Sequence, residues 1–332
     1  MKAIILHDKE QPLVYEETAK PIPGTGEALV MIKAAAFNRR DWWIQKGQYA
    51  GLRYPIIPGS DGSGIVVETG QGVDETWLKE EVIINPGMNW GNDPAFHSRQ
   101  FKILGLPDNG TFAAYVKVPV EYLYEKPAYL SFEEAASIPL AGVTAYRALF
   151  TRAKVKQGDK VLITGIGGGV ALMVLQMAVA IGAEVYVTSG SDDKIGKAVQ
   201  LGAKLGVNYK ISGWHKLFQS AVEGFDIIID SAAGDDFKYF IDLANPGGRI
   251  VFYGGTQGPI STLNPQKIFW KQLSILGTTM GTQSEFAAML HLFEQHKILP
   301  VIDGVFPMHA ADSVLRKMDD ASQFGKMVLV ND

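Results

Sequence analysis

Four glycines, Gly165, Gly167, Gly168 and Gly169, stand between the apolar run Val161-Leu162-Ile163-Thr164 and a helical stretch over 172–181. Strand, glycines and helix in that order constrain the chain more than any other feature. Such a turn lets backbone N–H groups approach a ligand at the positive end of a helix. Downstream, apolar runs at 160–164, 184–188, 206–209, 225–230, 249–253 and 273–277 alternate with helical segments. That alternation belongs to βαβ units and predicts an α/β domain, a Rossmann-type doubly wound parallel sheet of six strands. Upstream, to about Pro127, short apolar runs at 28–36, 64–68, 81–85 and 112–118 are split by Gly and Pro, which predicts an irregular, mainly antiparallel β domain. Beyond 277, helices over 284–296 and 310–318 and a strand at 326–330 make a tail too small to fold alone, so it is expected to return to the first domain. The expected division is therefore 1–127, 128–277 and 278–332, the first and third segments forming one discontinuous domain.

The closest match to a dinucleotide fingerprint puts Gly165, Gly168 and Ala171 at the three positions, an imperfect fit in spacing, with Gly169 and Val170 opening the helix. At the end of the second strand, Val187-Thr188-Ser189-Gly190-Ser191-Asp192-Asp193-Lys194, no carboxylate stands where NAD sites carry an acid for the ribose 2′-hydroxyl. Ser189 and Ser191 offer hydrogen bonds and Lys194 a charge to a 2′-phosphate. Asp192 and Asp193 fall in the first turn of the next helix, where acids complement the dipole. NADPH is the expected cofactor.

Composition narrows the remaining classes. A chain of 332 residues exceeds one core and favours two domains. With 20% charged residues, a net charge of −4 and no basic run, neither nucleic acid nor an anionic membrane is expected as a partner. The apolar start Met1-Lys2-Ala3-Ile4-Ile5-Leu6 is too short for a secretory core or a membrane span, so a cytoplasmic location is expected. The absence of Cys removes disulfides, cysteinyl zinc sites and thiolate nucleophiles.

Several motifs run in a fixed order from end to end: Asn38-Arg39-Arg40-Asp41, Gly47-Gln48-Tyr49, Pro58-Gly59-Ser60-Asp61-Gly62-Ser63-Gly64, Gly110-Thr111-Phe112-Ala113, Ala135-Ala136-Ser137-Ile138-Pro139, Gly142-Val143-Thr144-Ala145-Tyr146, the glycine turn, and Gly325-Lys326. On these the chain resembles the medium-chain dehydrogenase/reductase superfamily, and within it the zinc-free quinone oxidoreductase branch. The resemblance implies a discontinuous GroES-like catalytic domain packed on a Rossmann domain, an active site in the cleft between them, and a homodimer or homotetramer. It implies that Lys194 and Tyr209 contact the 2′-phosphate, that Thr144 lies near the nicotinamide, and that Gly254-Gly255 follow the strand beneath the cofactor.

Zinc-dependent relatives place a Cys near Asn38, a Gly-His-Glu where this chain has Gly59-Ser60-Asp61, and four Cys in the lobe spanning 85–109. Here the ligands are missing, His97 stands alone in the lobe, and His291 and His296, five apart, do not share a helix face, so no metal site is expected. Without a Lewis acid, reduction of a quinone or an α,β-unsaturated carbonyl compound is more accessible than alcohol oxidation, because donors can stabilise the charge that moves to oxygen. Tyr49 is the first candidate donor and Asn38 the second. Asp41 is expected to orient the nicotinamide or a loop, an acid role remaining open. Trp42, Trp43, Tyr54 and Trp90 are pocket walls or plain core. The stretch 85–97 is longer than in typical zinc-free members and resembles the zinc lobe without its cysteines. Two other readings remain: a zinc-type alcohol dehydrogenase, and a protein that binds NADPH with little turnover.

Overall fold

The computed structural model describes residues 1–331. They divide into two compact units, residues 1–141 together with 281–331, and Gly142–Met280. In the second unit six parallel strands lie in the order Leu205–Asn208, Glu184–Ser189, Lys160–Ile163, Phe225–Asp230, Ala244–Phe252, Ser274–Gly277. The central strands are Val/Ile-rich runs whose residues Val161, Leu162, Ile163, Ile227, Ile228 and Ile229 are fully buried, as a parallel sheet covered on both faces requires. Strand order reverses between Lys160–Ile163 and Phe225–Asp230, and at such a switch point open α/β sheets bind ligands beyond the carboxyl ends of the strands. The fifth strand begins at Ala244, earlier than the apolar run at 249, because Phe225 pairs with Ala244 across a register shift.

In the first unit a sheet runs Ile302–Pro307, Lys326–Val330, Glu27–Ala36, Asp61–Thr69, Glu81–Ile84, Leu123–Glu125, with Tyr115–Pro119 also paired to Glu27–Ala36. Its core gathers Ile4, Leu6, Val30, Ile32, Val66, Phe112, Met327 and Leu329, so both ends of the chain contribute. In the tail, Val328, Leu329 and Val330 pair antiparallel with Ala36, Ala35 and Ala34. The strand Ile302–Pro307 is absent from the sequence reading, its Gly and Pro disguising an edge strand.

The compact units divide at 141/142, while the step in composition lies at 127/128. Composition turns helical near 128, but the structural change comes at 142. Helix Phe132–Ala136, started by a Ser131/Glu134 capping box, sets Ala136 against Ala34, Ala36 and Val328 of the first unit. Ser63 Oγ donates to the Phe132 carbonyl at 2.6 Å, and the Leu140 N–H donates to Asp61 at 2.8 Å. At the other end Thr278 N–H bonds the Phe252 carbonyl, so 278–280 stay with the second unit. Among the described residues no helix is long and apolar enough to cross a membrane.

Candidate active site and cofactor site

In the second unit the strand Lys160–Ile163 passes through the glycine turn into helix Gly169–Ala180. Gly165 is left-handed, φ +64, and a Cβ there would lie 2.6 Å from Ser231 Oγ. Gly168 is the N-cap, no side chain caps the helix, and a Cβ at Gly168 would meet nothing nearer than 3.9 Å. The first turn of this helix, opened by Gly169 and Val170, thus has N–H groups that no N-cap side chain satisfies. The turn is fastened by residues that sequence reasoning missed. Asp230, buried, accepts from Thr164 Oγ1 at 2.7 Å and from the N–H groups of Ala233 and Ala232. Burial pushes its carboxyl up, and those donors pull it back. Gly254 lies so close to Ser231 that a Cβ would come within 2.3 Å of its carbonyl oxygen, whereas Gly255 faces open space. Thr144 is buried with Oγ1 3.9 Å from Met280 Sδ.

At the ends of the second and third strands in sequence, the pieces expected around the adenosine converge in part. Ser189 Oγ donates to the Ile166 carbonyl at 3.3 Å and accepts from Ser191 N–H, so its hydroxyl serves the turn. Ser191 N-caps helix Asp192–Gln200, which carries Lys194 in its first turn. The Tyr209 N–H bonds the Ser189 carbonyl at 3.0 Å, and the residue is 43% exposed. A Cβ on Gly190 would lie 2.8 Å from Tyr209 Oη and 2.9 Å from Lys210 Cε. Gly190 thus admits Tyr209 and Lys210 to the same spot, and Lys210 escaped the sequence reading because no motif marks it. The two acids are engaged elsewhere, Asp192 by Asn208 Nδ2 at 2.9 Å and Asp193 by Lys197 at 2.9 Å.

The first unit builds a buried polar cluster around helix Arg39–Gln45. Asn38 and Asp41 form its capping box, Asn38 N–H donating to Asp41 Oδ2 at 2.8 Å. Asn38 Nδ2 donates to Asp61 Oδ2 at 2.9 Å, and Lys326 Nζ donates to Asn38 Oδ1 at 2.6 Å and to Asp61 Oδ2 at 2.9 Å. The Lys326 and Asp61 side chains are 4% and 0% exposed. Asn38 is thereby held from both ends of its amide. Asp41 is buried, its Oδ1 has no partner, and burial above all drives its carboxyl up to about 6, with Asp61 adding repulsion and Arg40, the Asn38 N–H and Lys326 opposing.

Arg40, 7% exposed, donates Nη1 to Ser60 Oγ at 2.6 Å and to the Leu104 carbonyl at 2.8 Å. Its Nε faces Tyr49 Oη at 3.5 Å, with the guanidinium 5.1 Å from the ring centre. Tyr49 is half-buried at the margin of the core. The other aromatics are structural: Trp42 stacks on Arg39 and bonds Asp319, Trp43 meets Trp42 edge-on, Tyr54 bonds the Ile44 carbonyl, and Trp90, His97 and Phe101 form a small core of the 85–109 lobe. Among the described residues no group of three or more His, Asp or Glu side chains converges as a metal ion would require.

Residues 24–128 match the alcohol dehydrogenase GroES-like domain, and residues 169–295 match the zinc-binding dehydrogenase family. The chain is 36% identical to the zinc-type alcohol dehydrogenase-like protein YogA of Leptosphaeria maculans, over 96% of this chain and 94% of that one. It is 27% identical to the quinone oxidoreductase of Mus musculus, over 99% and 98%. The crystal structure of an NAD-dependent alcohol dehydrogenase superposes with a TM-score of 0.92 at 36% identity, covering 99% of each chain. With a GroES-like unit, a Rossmann-type unit and relatives matched over nearly their whole length, the chain belongs to the medium-chain dehydrogenase/reductase superfamily of oxidoreductases.

Proposed function

We propose that the chain reduces quinones or α,β-unsaturated carbonyl compounds with NADPH and without a metal, Tyr49 hydrogen-bonding the acceptor oxygen. The observation that carries this reading is the arrangement of two buried cations on the polar groups of the catalytic unit. Lys326 Nζ lies 2.9 Å from Asp61 and 2.6 Å from Asn38, and Arg40 Nη1 lies 2.6 Å from Ser60. A hydroxyl, a carboxamide and a carboxylate already neutralised by an ammonium do not fit a zinc ion, which takes N and S donors in a tetrahedron. A divalent ion among them would also face two fixed positive charges.

The choice of NADPH rests on Ser191, Lys194, Tyr209 and Lys210 near the end of the second strand, and on the engagement of Asp192 and Asp193 by Asn208 and Lys197. When bound, NADPH supplies the hydride. The helix first turn beyond Gly168 holds the pyrophosphate, the fastened Thr164–Asp230 turn keeps that cradle in place, and the Tyr49 hydroxyl offers a proton to the oxygen on which charge develops.

The test is steady-state oxidation of NADPH and of NADH against a panel of enones and quinones, before and after chelation, with metal analysis of the protein. Stoichiometric zinc whose removal abolishes turnover would overturn the metal-free reading. Tyr49→Phe keeps the ring and removes one donor, so enone turnover is expected to fall on the order of 10² to 10³ with stability little changed. Quinones, whose charge is delocalised over the ring, are expected to lose less. Unchanged kinetics for both acceptors would remove Tyr49 from the mechanism.

A further inference from the structure

Arg40 is a buried guanidinium held almost wholly by neutral oxygens. Its terminal nitrogens bond Ser60 Oγ at 2.6 Å, the Leu104 carbonyl at 2.8 Å and the Leu106 carbonyl at 3.5 Å. Asp41, the next residue, gives Oδ2 to the Asn38 N–H, and Arg40 forms no ion pair within 4.0 Å among the described residues. Neutral anchors fix the guanidinium in direction, and its charge, which already favours the ionised Asp41 carboxyl, acts on any further group that becomes negative beside it. The group beside it is Tyr49, whose Oη receives the remaining edge of the fork, Nε–H, at 3.5 Å. That distance is long for an N–H···O bond, and catalytic contacts commonly shorten as charge develops in the reacting complex.

We propose that Arg40 is a positioning residue for the reduction, directing the Tyr49 hydroxyl and stabilising the phenolate that proton donation leaves behind. This rests on the reading of Tyr49 as the donor. In the step, NADPH when bound would supply the hydride, one dihydronicotinamide C–H bond breaking to leave NADP+ as a C–H bond forms at the β-carbon of the enone. The C=C pair moves to the adjoining C–C bond, and the carbonyl π pair moves to oxygen. The Tyr49 O–H bond breaks as an O–H bond forms on that oxygen, giving an enol and a phenolate. Water then returns a proton to Tyr49, and the enol tautomerises to the saturated carbonyl compound. NADPH is the only reductant and the enone the only oxidant. Sequence reasoning had no means of finding Arg40, because neither its neutral anchors near 104 and 106 nor the approach of Tyr49 follows from local spacing.

The experiment is a double-mutant cycle of Arg40→Met and Tyr49→Phe, with enone and quinone turnover, solvent deuterium isotope effects and thermal stability read for each protein. Arg40→Met is expected to lower kcat for enones by about 10- to 100-fold, the range for a lost charge-assisted bond. KM for NADPH should be unchanged, and the solvent isotope effect should rise as proton delivery becomes limiting. Placed on Tyr49→Phe, the same change is expected to cost less than about threefold, since the group it serves has gone. Arg40→Lys retains charge without the fork and should fall between wild type and Arg40→Met. If Arg40→Met does not fold, the cycle is run with Arg40→Lys, where the same non-additivity is expected. Losses from Arg40 and Tyr49 substitutions that multiply independently would overturn the role of Arg40. A Tyr49→Phe protein with native enone kinetics would instead sink the reading of Tyr49 as donor.

Discussion

Replacing Asp41 by asparagine isolates the cost of a carboxyl buried in the first turn of the Arg39–Gln45 helix. Asp41 is 2% exposed, one oxygen accepts the Asn38 N–H and the other has no partner. Its carboxyl is raised from an ordinary 3.8 to about 6, chiefly by burial. A carboxyl that titrates higher in the folded than in the unfolded chain holds its proton more tightly when folded, so its ionised form is the costly one. The penalty is absent below pH 3.8, grows as pH rises towards about 6, and is complete above it. At about 1.4 kcal/mol for each tenfold change, the full penalty is about 3 kcal/mol. Asparagine keeps an oxygen for the Asn38 N–H and carries no charge. Its amide N–H groups replace the unpaired oxygen, and an unsatisfied buried donor returns about 1–3 kcal/mol of cost. Asp41→Asn should therefore match or exceed wild-type stability at pH 7, and should lose the decline that wild type shows between pH 3.8 and about 6. Urea unfolding followed by circular dichroism at a series of pH values checks this, with differences between the two proteins used because the two units need not unfold together. Parallel pH curves for the two proteins would refute the reasoning.

Lys326→Met leaves the fully buried Asp61 carboxylate with only Asn38 and the Leu140 N–H as partners. A loss of about 3–5 kcal/mol is expected in calorimetry, and adding Asp61→Asn should recover part of it; no recovery would show that the unpaired charge is not the source. On the proposed reading of Lys194 as a partner of the 2′-phosphate, Lys194→Ala should weaken NADPH by about one to two decades relative to NADH in fluorescence titrations. Lys210→Ala should share that selectivity, and equal weakening of both cofactors by either change would reduce these lysines to supports of the fold.

The parallel sheet was legible almost strand by strand, because apolar runs bounded by glycines and separated by helical periods are local signals. The boundary at 142 was not, since the helix at Phe132–Ala136 has an unremarkable amphipathic sequence and its allegiance is decided by Ala34, Ala36 and Val328, far away in the chain. The candidate site divides in the same way. Asn38 and Asp41 stood out by spacing, and that spacing proves to be a capping box before it is anything else. Lys326 was visible only as part of a Gly-Lys motif, because its partner Asp61 lies 265 residues earlier. Ser189 looked like a phosphate donor, but the direction of its hydroxyl depends on the Ile166 carbonyl across the turn.

The pairing of Lys326–Val330 between Ile302–Pro307 and Glu27–Ala36 sets an order of events during synthesis. The Gly142–Met280 unit has all of its strands once residue 280 has left the ribosome, while the unit begun first is still missing an interior strand. Until that strand arrives, the alanine edge at Ala34–Ala36 presents unpaired backbone groups to whatever chain is nearby. The part of the chain made first is therefore the part whose sheet is completed last.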